Sequence, residues 1–210
     1  MKRLGITQRV ENITAYSERR DCLDQRWSVL ADELGYIPIP LPNISNKSVS
    51  KLLDSLQLDA IILSGGNSIT QLNPTAIDVA PERDAFEIAL IDEGSKRVIP
   101  ILGVCRGMQM INLYYGGQLS TIKGHVAVQH KLNIAPDYSE YILETVNSYH
   151  NWAIKLSDLA PDLIPIASDE QGNIEAFIYK TQAMLGIMWH PERELPFKQQ
   201  DIKLIKKFLL

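Results

Sequence analysis

The sequence is poor in cysteine: Cys22 and Cys105 are the only two in 210 residues. They stand far apart in unlike surroundings, which excludes a disulfide framework and cysteine metal spacing and fits a reducing, cytoplasmic compartment. A cationic excess is missing too. The 21 Lys+Arg against 25 Asp+Glu leave a formal net charge of −4, so nothing electrostatic calls for nucleic acid. No run comes near the roughly 18 apolar residues that cross a bilayer, so no membrane span is expected. The start, MKRLGITQRV, has two basic residues followed only by a short mixed stretch, and does not read as a signal peptide. Repeats, low-complexity tracts and linkers are also lacking. What is present is ordinary: 45% hydrophobic and 22% charged residues, as in a globular protein. The length suits one domain over residues 1–210.

Through the first half, apolar runs alternate with helical spacing. Strands are expected over 4–10, 36–41, 59–64 and 98–104, and helices over 20–34, 49–58, 81–93 and 106–115. Gly35 ends the first helix, Pro81 suits a first turn, and Pro38 with Pro40 confine 36–41 to a sheet edge. The second half has closely spaced strand candidates at 131–135, 144–147, 163–167, 174–179 and 184–189, then a closing helix at 202–210. This predicts an α/β fold: a mostly parallel sheet covered on both faces, with antiparallel strands added. Ligands in such sheets bind at the carboxyl ends of the strands, where the chemical motifs fall.

The decisive stretch is Gly103-Val104-Cys105-Arg106-Gly107, between a buried strand and a helix. It is the cysteine form of a nucleophile elbow. The sharp turn exposes the sulfur at a helix N-terminus, whose partial positive charge favours a thiolate. Small residues two positions to either side let backbones pass closely. Cys22, in a helical pattern without glycines, reads as structural.

A thiol nucleophile needs a base, and the base an orienting acceptor. The apolar stretch at 184–189 ends in His190, and Glu192 follows two residues later. His125 and His130 lie in a polar loop-to-strand region, where solvated or structural roles are expected. His150 has no carboxylate close behind it and is the weaker base. After the third strand, Ser64-Gly65-Gly66-Asn67 offers backbone N–H groups to an anion without side chains in the way. With the N–H of Arg106 it forms a candidate oxyanion hole.

Together LSGGN (63–67), RDAFE (83–87), GVCRGMQMIN (103–112), GGQL (116–119), VNSYH (146–150) and GIMWHPERE (186–194) resemble the class I glutamine amidotransferase superfamily over essentially the whole chain. Within it, the likeness is to the γ-glutamyl hydrolase-like branch that includes γ-glutamyl-γ-aminobutyrate hydrolases. The resemblance implies a flavodoxin-like three-layer sandwich and a triad of Cys105, His190 and Glu192. It implies Gly66 and Arg106 as oxyanion donors. It also implies that Gln109 and the Asn147, Ser148 and Tyr149 backbone hold the glutamyl amino and carboxylate groups. No metal or cofactor, and no obligatory protein partner, is implied for a small-molecule γ-glutamyl substrate.

More narrowly, the ITQR start, Glu18-Arg19-Arg20-Asp21 leading to Trp27, and the NSYHNWAI and IMWHPERE blocks resemble the γ-glutamyl-CDP-amidate hydrolases of capsular phosphoramidate synthesis. That implies release of L-glutamate from a nucleotide amidate. Phosphates suit arginine forks, so Arg9 at the expected end of the first strand, and Arg19 or Arg20 at the expected start of the first helix, are candidate contacts. Solvated surface arginines are the alternative. Ser68 departs from the aspartate that often follows the GGN. Two competing readings are a glutaminase subunit passing ammonia to a synthase, and a binding module on an inactive fold; the intact Cys–His–Glu set argues against the second.

Overall fold

The computed structural model describes residues 2–209. In chain order the elements are β1 (Lys2–Thr7), β2 (Arg9–Ile13), β3 (Glu18–Cys22), α1 (Arg26–Leu34), β4 (Tyr36–Leu41), α2 (Val49–Leu56), β5 (Ala60–Leu63), α3 (Pro81–Lys96), β6 (Ile101–Val104), α4 (Arg106–Tyr114), β7 (Ser120–Thr121), β8 (Val126–Ile134), β9 (Thr145–Tyr149), β10 (Trp152–Lys155), β11 (Leu163–Asp169), β12 (Asn173–Tyr179), β13 (Met184–Ile187) and α5 (Gln199–Leu209).

The main sheet runs β4-β1-β5-β6-β13-β12-β11-β8-β9. The first five strands are parallel and the rest antiparallel. β5, β6 and β13 are buried at every position, as strands covered on both faces must be. Side chains alternate between the layers. Ala60 and Ile62 join Leu30, Ala31 and Ile205 on the face covered by α1 and α5. Ile61 and Leu63 join Leu53, Phe86 and Ile111 on the face covered by α2, α3 and α4. Each of the leucine, isoleucine and phenylalanine side chains, fully buried, contributes about 1.5–3 kcal/mol. The result is the expected three-layer α/β sandwich with antiparallel strands added.

Local signals act as expected. Gly35 closes α1 at φ 87, its N–H reaching the Ala31 and Asp32 carbonyls. Pro81 opens α3. β4, with Pro38 and Pro40, is the edge strand beside β1.

Two expectations need correction. The strand foreseen over 4–10 stops at Thr7, and the helix foreseen from residue 20 begins at Arg26. Between them, β2 and β3 form a separate two-stranded hairpin with Arg9 opposite Cys22 and Glu11 opposite Arg20. The physical start signal is Asp24, whose carboxylate accepts the Arg26 N–H at 2.9 Å and whose carbonyl accepts the Trp27 N–H. Cys22 therefore ends a strand, and Arg19 and Arg20 lie on a hairpin rather than a helix. β7 and β10 were not foreseen. Leu210, the expected last residue of the closing helix, lies outside the described residues.

Candidate active site

β1, β5, β6 and β13 end at the same edge of the sheet, delivering Thr7, Leu63, Val104 and Ile187 side by side. One residue past β6, Cys105 adopts φ 51 and ψ −104, a strained conformation outside helix and strand. Its N–H donates to the Ile187 carbonyl at 2.8 Å and its carbonyl accepts the Gln109 N–H at 3.1 Å. The flanking glycines are sterically required. A Cβ on Gly107 would lie 2.1 Å from the Leu63 carbonyl oxygen, and one on Gly103 would lie 2.6 Å from the Gly107 carbonyl carbon. The elbow thus forms because three backbones pass within contact distance.

His190 follows β13 and reaches the same edge. Its backbone is clamped by one side chain: its N–H donates to Asn147 Oδ1 at 2.8 Å, and Asn147 Nδ2 donates to its carbonyl at 2.9 Å. The Asn147 amide also reaches Glu194 at 2.8 Å. On the ring, Nδ1 meets Glu192 Oε1 at 2.7 Å. Burial lowers the imidazole pKa, but Cys105 and then Glu192 outweigh it and raise it to about 9. The Glu192 carboxylate on Nδ1 thus favours the protonated ring. The Tyr149 ring packs edge-on at 5.7 Å between centroids, and Arg193 stacks on that ring at 4.1 Å.

The glycine loop after β5 is shaped from beneath. Arg83, fully buried on α3, donates to the carbonyls of Ser64 (2.7 Å), Gly65 (3.1 Å) and Gly66 (2.7 Å). Drawing these carbonyls to one side leaves the loop N–H groups for the other. Burial, partly offset by Glu87, lowers Arg83 to about 10, so it stays charged. Glu87 accepts from Thr7, Arg83 and Arg106. Burial pushes its carboxyl up, but Arg106 and Arg83 outweigh this and hold it below the usual carboxylate range. Both terminal nitrogens of the Arg106 guanidinium are committed to Asp84 and Glu87, and its Nε is buried without a partner. Asn67, at φ 64, spends its side chain on both backbone groups of Val10 (2.7 and 2.9 Å) and on the Asp78 carbonyl. At Ser68, the backbone N–H is held by Asp78 Oδ2 at 3.0 Å.

A cavity of about 220 Å³ is lined by Gly66, Cys105, Gln109, Tyr149 and Trp152. Gln109 Nε2 donates to the Trp152 carbonyl at 3.1 Å. Ser148 is fully buried and its hydroxyl donates to the His125 carbonyl, so its backbone is what it can offer a ligand. A smaller cleft, about 70 Å³, is lined by Arg9, Cys22, Gly65, His190, Glu192 and Arg193. Cys22, expected on a helix, is here half-buried at the cleft wall. Arg9 pairs with Glu11 at 2.7 Å. Arg20 pairs with Glu18 on the exposed hairpin and Arg19 with Glu82, so of the three arginines it is Arg9 that reaches this cleft. A larger apolar groove of about 540 Å³ at α3 and α4 is lined by no cysteine or histidine.

The positioning roles of Arg83 and Asn147 were not legible in advance. RDAFE marked Arg83 only as a motif position, and Asn147 was expected to act through its backbone. The arrangement places a thiol at a helix N-terminus, an imidazole held by a carboxylate at the same strand edge, and a glycine loop lining the cavity beside the thiol.

Residues 4–192 match the family described as Peptidase C26. The chain is 34% identical over 194 residues to the gamma-glutamyl-CDP-amidate hydrolase of Campylobacter jejuni subsp. jejuni serotype O:2, covering 91% of this chain and 90% of that protein. It is 29% identical over 193 residues to the gamma-glutamyl-gamma-aminobutyrate hydrolase of Escherichia coli O157:H7, covering 75% of this chain and 73% of the other. In shape, it matches the crystal structure of a putative GMP synthase subunit from Thermoplasma acidophilum with a TM-score of 0.71, over 100% of this chain and 92% of that one. At 23% identity that likeness is one of fold.

Proposed function

Since the chain belongs to the Peptidase C26 family, of class I glutamine amidotransferase-like amide hydrolases, we propose that it cleaves a γ-glutamyl amide with Cys105 as nucleophile. The substrate we propose is γ-glutamyl-CDP-amidate, on a route to capsular phosphoramidate. The observation that carries the reading is His190, pinned by Asn147 and Glu192 at the strand edge that bears Cys105, with both side chains within 4 Å of where a Cβ on Gly65 would stand. The identity to the Campylobacter jejuni enzyme across 91% of the chain supports the choice of substrate.

In this mechanism the Cys105 thiolate attacks the γ-carbonyl carbon. The oxyanion is met by the backbone N–H groups of Gly66 and Arg106, which need not reorganise as charge develops. Collapse breaks the C–N bond, and His190 gives its Nε2 proton to the departing nitrogen. The neutral imidazole then takes a proton from water, which attacks the thioester and releases L-glutamate and the Cys105 thiolate. Glu192 keeps Nδ1 protonated throughout. The glutamyl group occupies the cavity beside Gln109 and Tyr149. The leaving group lies over the cleft beside Arg9 and Arg193.

Purified protein is given γ-glutamyl-CDP-amidate and γ-glutamyl-γ-aminobutyrate separately, with glutamate release followed by mass spectrometry. We expect kcat/KM to favour the nucleotide by at least about tenfold, or about 1.4 kcal/mol. Cys105→Ala should lose turnover with its fold intact. Faster cleavage of the aminobutyrate adduct removes the nucleotide assignment, and activity in Cys105→Ala removes the mechanism.

A further inference from the structure

Beneath the pocket wall formed by residues 147–152, three imidazoles and a carboxylate converge in a place the proposed chemistry does not use. His125 precedes β8, His130 lies on β8, His150 follows β9 and Glu175 lies on β12. One ligand atom from each falls within 4.8 Å of all the others. His125 and His130, expected to be solvated or structural loop residues, are respectively buried and 14% exposed at the side chain. His150 and Glu175 are also buried.

The polar atoms here are not satisfied by one another. Both oxygens of Glu175, both ring nitrogens of His130, Nε2 of His150 and Nδ1 of His125 are buried with no hydrogen-bond partner among the described residues. Buried polar groups are paired in the great majority of cases, so this convergence asks for a missing cation. His150 sharpens the argument. Its Nδ1 sits 2.9 Å from the Trp152 carbonyl, which can only accept, so Nδ1 carries the proton. In the neutral ring, Nε2 then turns a lone pair toward Glu175 Oε1, 3.5 Å away. Two acceptors facing one another need positive charge between them. His130 Nε2 lies 3.4 Å from Glu175 Oε2. With metal–ligand bonds of roughly 2.0–2.2 Å, neighbouring ligands of a tetrahedral zinc ion stand about 3.3–3.6 Å apart. The Trp152 carbonyl on Nδ1 is the outer partner that orients a metal-bound imidazole.

We propose that His125, His130, His150 and Glu175 bind one divalent transition-metal ion, zinc by donor set and spacing. Imidazole donors with one carboxylate suit zinc better than calcium or magnesium, which prefer oxygen. Four protein ligands leave no open position, so the ion is structural, not a Lewis acid for the reaction. It ties β8, β9 and β12 beneath the pocket. His150 and Ser148 both donate to the His125 carbonyl, at 3.0 and 2.7 Å. Gln109 and His150 share the Trp152 carbonyl. The ion therefore fixes the wall that faces Cys105. The partly exposed edge of His130 is its way in.

The chain is stripped with a chelator, dialysed, given zinc chloride alone, desalted and measured by elemental mass spectrometry. We expect one zinc ion retained per chain. Cobalt chloride in its place should give the intense visible bands of a tetrahedral site. His130→Ala and Glu175→Gln should weaken zinc binding at least about tenfold. Cys105→Ala should retain it fully, which separates this site from adventitious binding at Cys105 and His190. Should either ligand variant fail to fold, zinc-edge absorption on the wild type reads the same ligands directly, with a first shell of nitrogen and oxygen and imidazole scattering. Folded wild type that keeps less than about 0.1 zinc per chain overturns the proposal in favour of a proton shared among the imidazoles. So does zinc lost in Cys105→Ala, or a sulfur in the first shell.

Discussion

In the proposed mechanism, Gly65 stands against both reacting side chains. A Cβ there would stand 2.8 Å from His190 Cε1 and 3.7 Å from Cys105 Cβ. His190 cannot retreat, because Glu192 holds Nδ1 and Asn147 holds its backbone. Gly65→Ala should therefore displace the imidazole and lower kcat/KM by roughly a hundredfold, since ångström errors at a reacting centre cost about that much. The thermal midpoint should hardly move, and an alanine variant of wild-type activity would contradict the crowding. His190 also sets the pH response. Its folded pKa of about 9 lies above the unfolded value of about 6.5. The stabilisation from its charged form is thus complete below pH 6.5 and is lost as pH rises through 9. The alkaline limb of kcat/KM should have an apparent pKa near 9, belonging to the Cys105–His190 pair rather than to one residue. In Cys105→Ala the imidazole resonance, followed by NMR, should titrate at lower pH. An unchanged titration there would remove Cys105 as the charge that His190 feels.

Among the elements, α5 and the β2–β3 hairpin follow different rules. α5 packs across the sheet from α4, and its first turn carries a buried acid, Asp201, which accepts the Trp189 indole N–H at 2.9 Å. Burial raises the Asp201 carboxyl to about 6, opposed by the Trp189 hydrogen bond, while Glu194 and Glu192 add to the rise and Lys198 opposes it. A carboxyl whose folded pKa lies above its unfolded value is harder to ionise in the folded state. At pH 8 it subtracts stability, and the deficit fades as pH falls through 6. The shift corresponds to about 3 kcal/mol at most. Asp201→Asn keeps an acceptor for Trp189 without the charge. Its melting temperature should exceed that of the wild type by several degrees at pH 8, at about 2–4 °C per kcal/mol, and the gap should narrow below pH 6 and close only below about pH 4, the unfolded carboxyl value. A gap that widens on acidification would reverse the assignment. The hairpin was hidden in the sequence for a related reason: tertiary context decides it. β3 is exposed over Glu18 to Asp21, so it carries no apolar alternation to announce a strand. What docks it is Asn67 holding Val10, and Asp21 holding Asn43 at 2.7 Å.

Across the whole molecule, what could be read in advance was what a local pattern encodes. The buried runs AIIL, ILGV and MLGI, the glycines around Cys105, and His190 two residues before Glu192 each sit within one short segment. The groups that shape the site from a distance are built by the fold: Arg83 beneath the glycine loop, Asn147 on His190, and the three imidazoles around Glu175, which come from β8, β9 and their flanking turns while Glu175 comes from β12. No spacing in one segment signals such convergence. The arginines illustrate the same limit and allow a decision. Arg9 opens β2 and would touch a Cβ on Gly66 at 3.4 Å, while Arg193 lies beyond Glu192 and stacks on Tyr149. Both line the cleft beside His190. Arg20, expected beside them, pairs with Glu18 on the exposed hairpin. If the leaving group carries a diphosphate, Arg9→Ala and Arg193→Ala should each raise KM for γ-glutamyl-CDP-amidate by about tenfold, the worth of one charge-assisted contact. Arg20→Ala should leave KM unchanged. Neither Arg9→Ala nor Arg20→Ala should alter cleavage of a small uncharged γ-glutamyl anilide, which has no phosphate to lose. The KM rise should shrink in high salt, because exposed charge pairs are screened within about 10 Å at 0.1 M. Equal losses on both substrates in Arg9→Ala would mean that the arginine supports the glycine loop instead, and would leave the γ-glutamyl hydrolase reading without its nucleotide.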